Sequence, residues 1–193
     1  MQTDMTVGKP MKMILDFTIP VFIGNVFQQF YNMADAIIVG KFVGTKGLAA
    51  VGSTGTIMFL IIGFLMGLTA GFTVLTSQKF GAGKMDEMRQ SVGNAGLLSI
   101  IISVIMTIGS MVGMRSLLTL MNTPEDIFQD AYKYIMIICA GIFTQVMYNL
   151  LAGILRALGN SQTPLYFLRF SAALNIVLDL VLIIVFHLGE AGA

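Results

Sequence analysis

The sequence predicts an all-α membrane protein, a polytopic helix bundle, and three observations carry that prediction. Of the 193 residues, 56% are apolar and 11% are charged, against roughly 25% charged in an average soluble domain. Mean hydropathy is +0.85. The charges are also segregated. Five runs, 17–40, 47–78, 90–114, 134–155 and 170–189, hold no Lys or Arg and only two carboxylates, Asp35 and Asp179. Each run reaches the roughly 20 residues that a helix rising about 1.5 Å per residue needs to cross a bilayer. The same composition excludes disorder and a collagen-like repeat, and the single Cys139 closes no intrachain disulfide. A net charge of +1 argues against nucleic acid as a partner.

Residues 1–13 read as a polar, basic cytoplasmic lead-in, and 14–193 as a membrane region with helices over about 14–43, 48–78, 90–114, 130–155 and 166–187. The first apolar run is too long for a signal-peptide core and lacks a small-residue cleavage site. With the N-terminus inside, the inner side carries Lys9, Lys12, Lys79, Lys84, Arg89, Arg156 and Arg169, and the outer side Lys41, Lys46, Arg115 and Lys133. The excess of inner cations predicts a multi-pass inner (plasma) membrane protein with a cytoplasmic N-terminus. The chain stops after five spans in a small-residue loop, 189–193, which reads as a truncation of a longer bundle.

The first helix contains Pro20, which removes a backbone hydrogen bond and favours a bend. Asn25, Gln28, Gln29, Asn32 and Asp35 follow it within an arc of about 120° at 100° per residue. Such a polar stripe cannot face lipid. The second helix carries Gly63, Gly67 and Gly71 at the four-residue spacing of close helix contacts. Its Ser53, Thr54, Thr56, Thr69, Thr73 and Ser77 either line a path or bond their own backbone. The turn through Gly81-Ala82-Gly83-Lys84 lacks the spacing of a phosphate-binding loop. In the link to the fourth helix, Asn122 or Thr123 is the expected cap, with Pro124 in the first turn and Glu125 and Asp126 at the positive end of the dipole. Gln145, Tyr148 and Asn149, with Thr144, stripe the fourth helix, and Ser171, Asn175 and Asp179 stripe the fifth.

Two membrane carboxylates are the strongest functional signal. Helices 1 and 5 run the same way, and Asp35 and Asp179 fall about 8 and 12 Å from the outer ends of their spans. One shared site in the outer half is therefore geometrically available, with Asn32 and Asn175 one turn away from the acids. No basic residue lies within these spans to neutralise them. They bind protons through raised pKa values, or a hard cation such as Na⁺ through carboxylate and amide oxygens, or they attract a cationic substrate. A purely structural, helix-bonding pair is the bland alternative. Cys139 reads as a packing residue and His187 as interfacial.

The segments Pro20 with Gln28-Gln29-Phe30-Tyr31-Asn32-Met33-Ala34-Asp35, then Ser77-Gln78-Lys79-Phe80-Gly81, Asn122-Thr123-Pro124-Glu125, Leu155-Arg156-Ala157-Leu158-Gly159-Asn160, and Leu174-Asn175-Ile176-Val177-Leu178-Asp179, in this order and spacing, resemble the multidrug and toxic compound extrusion (MATE) family. The resemblance implies five of an expected twelve helices, within the N-terminal one of two lobes around a V-shaped cavity. It implies export of organic, often cationic, compounds driven by H⁺ or Na⁺ entry, with no other cofactor. Asp35, Asn175 and Asp179 match the family's coupling site and Pro20 its helix-1 bend. The expected partners are the lipid bilayer, small organic cations and the missing C-terminal part of the same transporter. A flippase of lipid-linked precursors is the alternative within the broader fold, disfavoured by the lack of basic residues in the spans, and a non-transporting scaffold is a further one. An enzyme is not expected, because the spans hold no His/Cys metal cluster and no Ser/His pair.

Overall fold

The computed structural model describes residues 10–42 and 44–185; the side chains at positions 10, 31, 35, 46, 179, 180, 184 and 185 lie outside that description, as do residues 1–9 of the lead-in and His187. Five helices, α1 (Pro10–Phe42), α2 (Thr45–Gly81), α3 (Met85–Leu120), α4 (Glu125–Ala157) and α5 (Gln162–Leu180), are followed by a π-helical turn, Val181–Val185. The described residues contain five helices long and apolar enough to cross a membrane. Helix formation continues past the charge-free runs, so that ends such as 10–16 and 115–120 carry charged side chains that reach toward water.

Packing divides the bundle in two. Helices α2, α3 and α4 form a trio, and α1 packs chiefly against α5. Along α4 the buried residues Ile127, Ala131, Ile135, Cys139, Ile142, Val146 and Leu150 recur every three or four positions, the spacing of one helix face. That stripe meets Ile57 and Leu65 of α2 and Met114 and Leu118 of α3 in the main core. Cys139 is buried there as a packing residue. Small residues line the α3 side, with Ser99 and Ser103 fully buried, and let the backbones approach.

The glycine stripe of α2 behaves differently from the expectation. A β-carbon built at Gly63, Gly67 or Gly71 would meet nothing within 4 Å among the described residues. Spacing alone does not supply a partner. The close approaches lie elsewhere: a β-carbon on Gly153 of α4 would collide with the Thr73 methyl group of α2. On Gly24 of α1 it would sit 3.4 Å from Leu168 and 3.5 Å from Leu165 of α5.

Three tight turns join α2 to α3, α3 to α4 and α4 to α5. Between α2 and α3, Glu87 accepts from Lys79 at 2.5 Å and from Lys84 at 2.8 Å. Asn122, expected to start α4, instead ends α3. It adopts a left-handed φ of 53° and donates its N–H to Thr119 O, while Thr123 N–H reaches Leu118 O. Asn tolerates that conformation better than other side-chain-bearing residues. Pro124 occupies the N-cap of α4 without a side-chain cap bond, and α4 then runs unbroken from Glu125 to Ala157. Between α4 and α5, Gly159 has φ 81° and Asn160 Oδ1 accepts from Thr163 N–H at 3.1 Å, which closes the first turn of α5.

Candidate functional site

Helices α1 and α5 set the register of the site. Gly24 lies against Leu165 and Leu168, and the Arg169 guanidinium stacks over the Phe27 ring at 5.4 Å. Both contacts advance in the same direction, so the helices run parallel, offset by about 142 residues. Carried up the helices, that offset sets the Asp35 backbone about 3 Å from the level of the Asp179 backbone. Their side chains lie outside the described residues. Asn175, one turn below Asp179, is half-buried, and its Oδ1 is fully buried with no hydrogen-bond partner among the described residues. An orphaned amide oxygen is an unused hard donor, the chemistry that a proton-bearing group or a Na⁺ would use. The π-helical turn begins just beyond Asp179. Such turns loosen the hydrogen-bond ladder and are frequent at functional sites.

The polar stripes of α1 and α4 face one another across a cavity of about 590 Å³ walled by α1, α2, α4 and α5. Asn25, Gln28 and Asn32 of α1 line it, as do Gln145, Tyr148 and Asn149 of α4, and Pro20 lies at its edge. Gln29, at the margin of the α1 stripe, is exposed and outside this lining, as is Thr144. The Asn149 amide donates to Gln145 O at 2.9 Å, which fixes its orientation.

A second cavity of about 550 Å³ opens between the ends of α2 and α4. Thr69, Thr73 and Ser77 line it while their hydroxyls bond carbonyls of their own helix at 2.8–3.0 Å. Both readings of these residues therefore hold together: the donors are spent on the backbone, and the groups still shape the wall.

Sequence reasoning missed Arg156. Counted as a loop cation, it is in the last turn of α4, half-buried, and lines both cavities. Arg169 likewise stands two turns inside α5. The expectation that the spans carry no basic residue is thus corrected at the C-terminal end of α4 and the N-terminal part of α5, where helix continues beyond the apolar run. The legible signal was angular: at 100° per residue Arg156 falls within about 40° of Gln145 and Asn149.

A family model described as MatE matches residues 20–181. The probable multidrug resistance protein YpnP of Bacillus subtilis (strain 168) is 32% identical over 190 residues, 98% of this chain and 43% of the relative. Among solved structures, an outward-facing multidrug resistance MATE family transporter of the MOP superfamily superposes with a TM-score of 0.93 at 30% identity, over 100% of this chain and 43% of that one. A MOP superfamily transporter from Pyrococcus furiosus, described as having a binding pocket of reverse polarity that suggests a different function, superposes with a TM-score of 0.92 at 31% identity, over 98% and 42%. The chain spans less than half the length of the relatives it matches.

Proposed function

The chain belongs to the MatE family, and on that premise we propose that it supplies five helices of the N-terminal lobe of a cation-coupled antiporter that exports organic, often cationic, compounds. The observation that carries this reading is the cavity of about 590 Å³, where polar stripes from α1 and α4 meet inside an otherwise apolar bundle. Amide groups and the Tyr148 ring suit an amphipathic cation: the ring face attracts the charge, and the amides orient without fixing one shape. The chain sits in the inner membrane with its N-terminus in the cytoplasm.

Coupling runs through α1 and α5. H⁺ or Na⁺ entering from outside neutralises Asp35 and Asp179, with Asn175 Oδ1 as a further oxygen donor. The level register of the two helices and the buried, unpartnered Asn175 oxygen support this assignment. Neutralisation removes the cost of a charge in low dielectric and changes how α1 packs on α5. Pro20 gives α1 a place to yield, because its ring removes one i→i−4 hydrogen bond. Exchange requires ion and drug to favour different conformations.

The test is dye efflux from vesicles holding the protein at the full length of its gene, with Na⁺ and pH gradients imposed separately. Efflux should follow one gradient and fall to background in Asp35→Asn. Full gradient-driven efflux by Asp35→Asn would sink the assignment. No efflux of any cationic dye would move the reading to the flippase or to a scaffold.

A further inference from the structure

We propose that Arg156 is a binding point for an oxyanion, a carboxylate or phosphate, carried by the transported compound. This rests on the exporter reading above and deepens it by naming a substrate feature. Ten basic side chains occur in 10–185, and all those described are exposed except Lys79 and Arg156. Lys79 is paired with Glu87. Arg156 has no ion pair and no side-chain hydrogen bond among the described residues. Among the described residues it is the only basic one in the lining of these two cavities, and it lies where the two share a wall with Asn149 and Met66.

A guanidinium that served only as an interfacial anchor would extend outward into water and headgroups, as the exposed Arg89 and Arg115 do. Arg156 is instead half-buried and lines the cavities, on the same helical face as Gln145 and Asn149. The turn behind it is fixed: Gly159 N–H donates to Arg156 O at 3.0 Å and Asn160 N–H to Leu155 O at 2.9 Å. Ser161, itself buried, lines the cavity of about 590 Å³ with it. A planar fork of donors matches an oxyanion, and in low dielectric such a charge-assisted pair is strong. Compounds bearing both a cationic and an anionic group then bind across the cavity, with the anion toward the α4–α5 turn.

The experiment compares two dyes that differ in one carboxylate, tetramethylrhodamine and its methyl ester, on the full-length protein. The readout is the ratio of acid to ester efflux. Arg156→Gln should lower that ratio about tenfold while ester efflux persists, the size expected for one charge-assisted hydrogen-bonded pair. Equal loss of both dyes by Arg156→Gln, in protein that folds, overturns the proposal and leaves Arg156 to the turn or to a lipid phosphate. Arg156→Lys keeps the charge but not the fork and decides the case if Arg156→Gln fails to fold: a reduced ratio supports the site, and an unchanged one overturns it. If the wild type exports neither dye, the exporter reading falls on its own. The site is then judged by equilibrium binding of the same dyes to purified protein, where only the acid should lose affinity in the variant.

Discussion

Replacing Gly153 by Ala should loosen the α2–α4 contact on which the trio depends. A β-carbon at this position collides with Thr73 Cγ2 and lies 3.3 Å from Thr73 Cβ and 3.5 Å from its Oγ1. Thr73 cannot simply turn aside, because its hydroxyl is held on Ala70 O at 2.8 Å. Either that bond breaks or the helices separate, and overpacking of this kind costs about 1–3 kcal/mol. Alanine's better helix propensity returns up to about 1 kcal/mol, so for a cost in the middle of that range the net loss is about 1–2 kcal/mol. Thr73→Ala deletes both atoms beyond Cβ, and the double variant should recover most of the loss, with a coupling of about 1–2 kcal/mol. Unfolding in mixed micelles titrated with a denaturing detergent measures all four corners of the cycle. Gly67→Ala, facing open space, serves as the control and should cost nothing. A Gly153→Ala protein as stable as wild type, or one that Thr73→Ala does not rescue, would refute the packing argument.

Asn175→Leu removes the orphaned buried oxygen and should raise the unfolding free energy by about 1–2 kcal/mol, while efflux ceases to follow the cation gradient; unchanged coupling in a transport assay would remove Asn175 from the site. At Asn122, φ 53° favours glycine and penalises branched side chains. Asn122→Gly should leave thermal stability within a few tenths of a kcal/mol, and Asn122→Val should lower it by about 1–2 kcal/mol, measured by the same micelle titration.

The helices were legible because charge is excluded from a bilayer core: each charge-free run became a helix of the bundle. The α1 and α4 stripes were legible from angle, and Asn25, Gln28, Asn32, Gln145, Tyr148 and Asn149 do share one cavity. Angle was less decisive at the margins, where Gln29 and Thr144 rotate out of the lining. What the sequence concealed was partnership. Gly63, Gly67 and Gly71 have the spacing of a contact and no neighbour among the described residues, whereas the isolated Gly153 makes the tight one. Spacing specifies a face and leaves open what stands against it. Arg156 was hidden for a related reason. Charge marks where an apolar run ends, but the hydrogen-bond ladder continues until Gly159 can turn left-handed, so the last turn carries its cation onto the cavity face.

The pairing of α1 with α5 also sets an order of assembly during synthesis. From the end of α1 at Phe42 to the start of α5 at Gln162 there are about 120 residues. At about 5–20 residues per second, α1 waits roughly 6–24 s for its principal partner. Until α4 has followed, Asn25, Gln28 and Asn32 stand on a helix without the polar stripe they face in the finished bundle. The nascent α1 must be sheltered by the insertion machinery or lie at the water interface until the trio has formed and α5 arrives. Substitutions that add polarity to α1 should therefore lower yield in the membrane before they change anything in the finished bundle.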